Sequence, residues 1–138
     1  MATATSNKGT YQPDSDVHIT FDDQQKINKF AQLNAKVEDL KDDLKVLHND
    51  MKNLEDASDE LSLLEDGSIV PYLFGEVFIN QTVEDTLVSL ENAKKKKQNE
   101  IKELDEECEK HKATMKGLKA VLYGRFGSHI NLENDDDE

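Results

Sequence analysis

The sequence has 138 residues, 34% of them charged and only 36% apolar, well below the roughly 45 to 50% of an ordinary globular chain, which argues against a thick rounded core. Thirty acidic against 17 basic residues give a formal net charge of −13, which repels phosphate backbones and argues against nucleic-acid partners. A single cysteine forbids an intrachain disulfide, and no apolar run approaches the roughly 18 residues of a membrane-crossing helix.

The first 16 residues, MATATSNKGTYQPDSD, are polar and read as a disordered leading segment. They hold no apolar signal region or myristoylation glycine, and the C-terminal end carries no prenylation cysteine. The expectation is a cytoplasmic protein without a membrane partner, with the nucleus left open as a second compartment. The folded part is expected over residues 17–133. Thr20 followed by Asp23 is a capping-box-like start, in which a hydroxyl accepts from orphan amides and an acid three residues on reaches back. From there Phe30, Leu33, Val37, Leu40, Leu44, Leu47, Met51, Leu54, Ser58 and Leu61 follow alternating steps of three and four. A heptad seam this narrow suits a partner helix rather than a broad core. The helix is expected over about residues 21–64, with Gly67 at its C-cap.

The next stretch breaks the pattern. SIVPYLFGEVFIN, Ser68 to Asn80, is aromatic and β-branched where its flanks are Lys, Glu, Asp and Leu. Its two short β-rich runs around Gly75 predict a hairpin over about residues 69–79, with Pro71 fitting only an edge or a bulge. Phe-Gly is not one of the strong primed-turn dipeptides, so the turn type stays open. A two-stranded hairpin is marginal alone in water. Natural proteins do not leave such edges uncovered, so other chains are expected to complete the sheet.

Thr82 and Asp85 mark a second helix start, and Gly124 sits where its C-cap belongs, giving a helix over about residues 83–123. Val83, Leu87, Leu90, Ile101, Leu104, Cys108, Met115, Leu118 and Leu122 hold one register, but Lys94, Lys97 and His111 fall on it too, so this seam is weaker. Lys94 to Lys97 read as a solvated face whose stems can lie along the seam. Cys108 and His111 lack the further ligands of a metal site and read as core filling. The acidic residues 134–138 read as a solubilising tail.

The expected fold is mostly α: a long antiparallel two-helix coiled coil with one β-hairpin between the helices. Glycine-rich phosphate loops, a nucleophile with an evident base and a deep pocket are all missing from this pattern. No catalytic, cofactor or metal residue is therefore expected, and the chain is not read as an enzyme. Two functions compete: a chaperone subunit that assembles through its hairpin, and a structural coiled-coil tether or scaffold subunit of another complex. A tether gains nothing from an aromatic hairpin with unpaired edges.

The hairpin VPYLFGEVFI between two helical coils, the start FDDQQKINKFAQL and the end LYGRFGSHINLE resemble the β class of prefoldin over about Val17 to Glu133. The resemblance implies a heterohexamer of two α-class and four β-class subunits, so two α-class and three further β-class partners for this chain. The hairpins would form a platform of β-barrels, and the helices would hang from it as tentacles. It also implies ATP-independent capture of non-native actin and tubulin, passed on to the cytosolic chaperonin. Carried onto these residues, the platform positions are Ile69, Val70, Tyr72, Leu73, Phe74, Val77, Phe78 and Ile79. Antiparallel helices bring the two chain ends together, so the client-binding tip is expected at Val17, Ile19, Phe21, Leu122, Tyr123, Phe126, Ile130 and Leu132. The alternative for these tip residues is that they simply close the last heptad.

Overall fold

A computed structural model of the chain describes residues 18–132. The expected leading segment, Val17 and the acidic tail lie outside the described residues. The order of elements is α1 (Phe21–Leu61), β1 (Ile69–Phe74), β2 (Val77–Thr82), α2 (Val83–Phe126) and a short 3-10 turn, Gly127–His129. By packing, the chain divides into two compact units, Asp39–Cys108 and the remainder, which joins the residues up to Glu38 with those from Glu109.

The helices form where the heptads stand. Every seam position of α1 from Phe30 to Leu61 is buried or half-buried, including the polar Ser58. The same holds on α2 from Val83 to Leu122, where Lys94, Lys97 and His111 are half-buried members of the row. Cys108 is 4% exposed and fills the seam. At the head of α1 the predicted box is complete: Asp23 N–H donates to Thr20 Oγ1 and Thr20 N–H donates to Asp23 Oδ2, each at 3.0 Å. At the head of α2, Asp85 N–H donates to Thr82 Oγ1 at 3.1 Å. Val83 N–H finds the carbonyl of Ser68 at 2.8 Å, so the loop leaving α1 accepts from an amide that α2 cannot satisfy within itself.

The helix ends depart from expectation. The α1 helix stops at Leu61, three residues before the expected end. Leu63 and Leu64 donate to Glu60 and Leu61 at 3.2 and 3.0 Å, tightening the last turn to 3-10 geometry before any glycine is reached. Gly124 lies inside α2, which continues to Phe126. It is Gly127, at φ +57°, that takes the left-handed conformation past the helix end.

The two strands pair antiparallel, from Ile69 opposite Thr82 to Phe74 opposite Val77. The second strand thus runs three residues beyond the expected end at Ile79. Between Phe74 and Val77 only Gly75 and Glu76 remain, and Gly75 has φ +60°. A two-residue loop with a positive-φ glycine at its first central position is a primed turn, whose twist matches that of the strands. Phe74 is the last strand residue and not part of the turn, so Phe-Gly was the wrong pair from which to read it.

Within the Asp39–Cys108 unit, Lys97 meets Asp50, and Val46 and Leu47 share a groove with Glu100 and Leu104. Positions descending along α1 therefore face positions ascending along α2, so the two run antiparallel.

Candidate assembly and capture surfaces

In the Asp39–Cys108 unit the pleat sorts the hairpin into two faces. Cross-strand partners share a face and alternate residues change it. Val70, Tyr72 and Phe74 stand with Gln81, Ile79 and Val77, while Ile69, Pro71 and Leu73 stand with Thr82, Asn80 and Phe78. On the first face Tyr72 and Phe74 meet edge to face, their ring centres 4.9 Å apart. Val70 and Tyr72 are half-buried and line an open groove of about 630 Å³ with Leu54, Leu61 and Leu90. On the other face Phe78 is 67% exposed, with Ile69 and Leu73 exposed beside it, while Pro71 and Leu73 also border the same groove.

Six of the eight expected platform residues are thus exposed within this chain, namely Ile69, Leu73, Phe74, Val77, Phe78 and Ile79. Leu63 and Leu64, in the link between α1 and β1, are exposed as well. The expected helix over about residues 21–64 takes in both, whereas α1 ends at Leu61. Their adjacency to a Gly-Ser link was the available signal. In a sheet of two strands, each strand also has one ladder edge that no other strand among the described residues covers.

In the other unit the start of α1 meets the end of α2. Arg125, near the end of α2, donates from Nε to Asp23 Oδ2 at 2.6 Å and from Nη2 to the carbonyl of His18 at 3.0 Å. Asp23 is 4% exposed. Burial opposes its ionisation, but the Thr20 amide and then the Arg125 guanidinium outweigh this and hold its carboxyl below the usual carboxylate range. After Gly127 the chain continues until Leu132 N–H donates to the Tyr123 hydroxyl at 2.8 Å.

These contacts divide the expected tip. Ile19 and Phe21 are exposed, Phe21 by 79%, while Tyr123 and Ile130 are half-buried. Leu122 is 0% exposed, and Phe126 and Leu132 are also buried. The last three are core residues of their unit, not groups without a partner. Leu122 and Phe126 extend the α2 row by a step of four, and Leu132 is held beside that row by its bond to Tyr123. Val121, which sequence reading passed over because it lies off the seam, is exposed in this unit. Val17 lies outside the described residues. Arg125 was also missed as a member of this site, since nothing local links it to residues a hundred positions earlier.

The prefoldin subunit family profile matches residues 24–129. Prefoldin subunit 4 of Homo sapiens is 44% identical over 122 residues, which are 88% of this chain and 91% of that protein. The probable prefoldin subunit 4 of Drosophila melanogaster is 41% identical over 133 residues, 96% of each chain. Prefoldin subunit 4 of Saccharomyces cerevisiae is 31% identical over 119 residues, 86% of this chain and 92% of that one. The crystal structure of the prefoldin beta subunit from Thermococcus strain KS-1 superimposes with a TM-score of 0.71 over 78% of this chain and 94% of that chain. At 15% identity that likeness is one of fold.

Proposed function

The chain belongs to the prefoldin subunit family, and from that premise we propose that it fills one β-class position of a heterohexamer, beside two α-class and three further β-class subunits. As a prefoldin subunit it is part of a chaperone and assembles with other prefoldin subunits. In the proposed reading the complex works in the cytoplasm, with the nucleus as a second site of action. It captures non-native actin and tubulin without ATP and delivers them to the cytosolic chaperonin.

The observation that carries this reading is the hairpin. It exposes Ile69, Leu73 and Phe78 on one face, and among the described residues each strand has a ladder edge with no further strand paired to it. Such a surface is a liability in a lone chain and an asset in one whose sheet is finished by neighbours. The chain ends supply the second element. Ile19 and Phe21 are apolar, exposed and backed by a unit with its own core. Weak apolar contacts repeated over several subunits can hold a non-native chain and release it without chemistry.

The test is reconstitution. Ile69→Asp together with Phe78→Asp places charges on the exposed face that neighbouring chains would bury, and a buried unpaired charge costs several kcal/mol, on the order expected from desolvation alone. The double variant should keep its helix content by circular dichroism and fail to enter a complex with the other subunits, as read by native mass spectrometry. Incorporation at normal yield would refute assembly through the hairpin.

A further inference from the structure

Residues that precede a helix usually fray, because nothing on the N-terminal side holds them. Residues His18–Thr20 lie at that position, and Ile19 among them stands exposed beside Phe21, the first residue of α1. This stretch is nevertheless held at both ends by one side chain. Arg125 Nη2 takes the carbonyl of His18, just before Ile19, and Arg125 Nε takes the carboxylate of Asp23, just past Phe21. The same carboxylate accepts from Thr20 N–H at 3.0 Å, so the grip on Asp23 is passed to the residue between Ile19 and Phe21. The guanidinium in turn lies over the Phe126 ring, 5.3 Å from its centroid. Phe126 is buried, so the arginine is supported by a fixed base. A planar fork offers separate donors in fixed directions to the two acceptors, whereas a lysine ammonium presents its donors from one atom on a flexible stem and does not fix their directions.

We infer that Arg125 is a positioning residue for client capture: its fork holds His18 and Asp23 so that Ile19 and Phe21 stand out to solvent as an ordered apolar pair. The inference rests on the reading that the chain ends bind clients. It adds that the geometry of the pair, and not its apolar character alone, sets the strength of capture. An ordered pair loses less freedom on binding than a frayed segment, so each contact contributes more.

The conservative variant separates positioning from stability. Arg125→Lys keeps a cation beside Asp23 but gives up the simultaneous bond to the His18 carbonyl. Reconstituted complexes should be compared at equal concentration, with chemically denatured actin as the probe and aggregation suppression as the measure. Arg125→Lys should leave assembly and the melting temperature close to those of the parent. It should lower capture several-fold and speed hydrogen exchange at the amides of residues 19–22. In a chain that also carries Ile19→Ser and Phe21→Ser, the same change should have no further effect on capture, because nothing remains to be positioned. If Arg125→Lys captures as well as the parent while the Ile19→Ser, Phe21→Ser chain does not, the positioning role is overturned and the tip reading stands. If that serine chain captures normally, the tip reading fails and this inference fails with it.

Discussion

Lys97 on α2 holds its ammonium 3.4 Å from the carboxylate of Asp50 on α1. The pair explains how a lysine can occupy a seam position: its stem lies along the half-buried row while its charge reaches the opposite helix. Lys94, one turn earlier on the same row, pairs with Glu91 of its own helix, at 3.3 Å.

The two lysines should therefore respond differently to replacement by leucine. Lys94→Leu exchanges an i, i+3 surface pair for apolar burial and should raise stability by roughly 1 to 2 kcal/mol. Lys97→Leu gains similar burial, but it gives up a cross-helix pair worth about 0 to 1 kcal/mol and leaves Asp50 without that partner. Its net effect should be smaller. Thermal melts of the two variants decide the matter. A larger gain from Lys97→Leu would mean that the pair with Asp50 contributes nothing.

Acid should loosen the chain ends before the rest. Asp23 has a carboxyl held below its ordinary value, so its contribution is complete above the unfolded value near pH 4 and is lost as pH falls through the folded one. Asp23→Asn should cost about 1 to 2 kcal/mol at neutral pH. The gap between parent and variant should close progressively below about pH 4. A gap independent of pH down to the acid limit would show that the charge on Asp23 is not what stabilises this corner.

At the hairpin turn, Gly75 has φ +60° and nothing within 4 Å of where a Cβ would stand. Gly75→Ala should thus cost only the conformational penalty of a left-handed L-residue, about 1 to 2 kcal/mol. Helix content should be unchanged, and the concentration of partner subunits needed for assembly should rise. Assembly at unchanged concentrations would mean that neighbouring chains reshape the turn as they bind.

The division of the chain ends into core and surface predicts opposite phenotypes for two apolar residues. Leu122 is fully buried, so Leu122→Ala should cost about 2 to 5 kcal/mol. Phe21 is largely exposed, so Phe21→Ser should change stability by no more than about 0.5 kcal/mol while weakening client capture by the reconstituted complex. Melting temperature and aggregation suppression, measured on the same preparations, separate the two. A large loss of stability from Phe21→Ser would place that ring in the core instead.

What the sequence determined by itself was everything carried by repetition and by near neighbours. The heptad steps identify the buried row of both helices, lysines and histidine included, because a seam is written again every three or four residues. The Thr20 to Asp23 box and the hairpin around Gly75 were legible for a related reason: their geometry depends on residues within a few positions of one another. The three-dimensional structure decided what depends on distant partners or on competition at a boundary. The end of α1 was settled by 3-10 bonds at Leu63 and Leu64, which formed before Gly67 could act as a cap. Leu122, Phe126 and Leu132 stand among the expected client-binding tip residues, with closure of the last heptad as the alternative, and the structure buries all three. Their burial depends on the chain's course past Gly127 and on the bond between Leu132 and Tyr123. Arg125 meets Asp23 across 102 positions of sequence, and no local pattern records such a pair. Burial and ion pairing are properties of the surroundings of a side chain, and those surroundings exist only once the start of α1 and the end of α2 have come together.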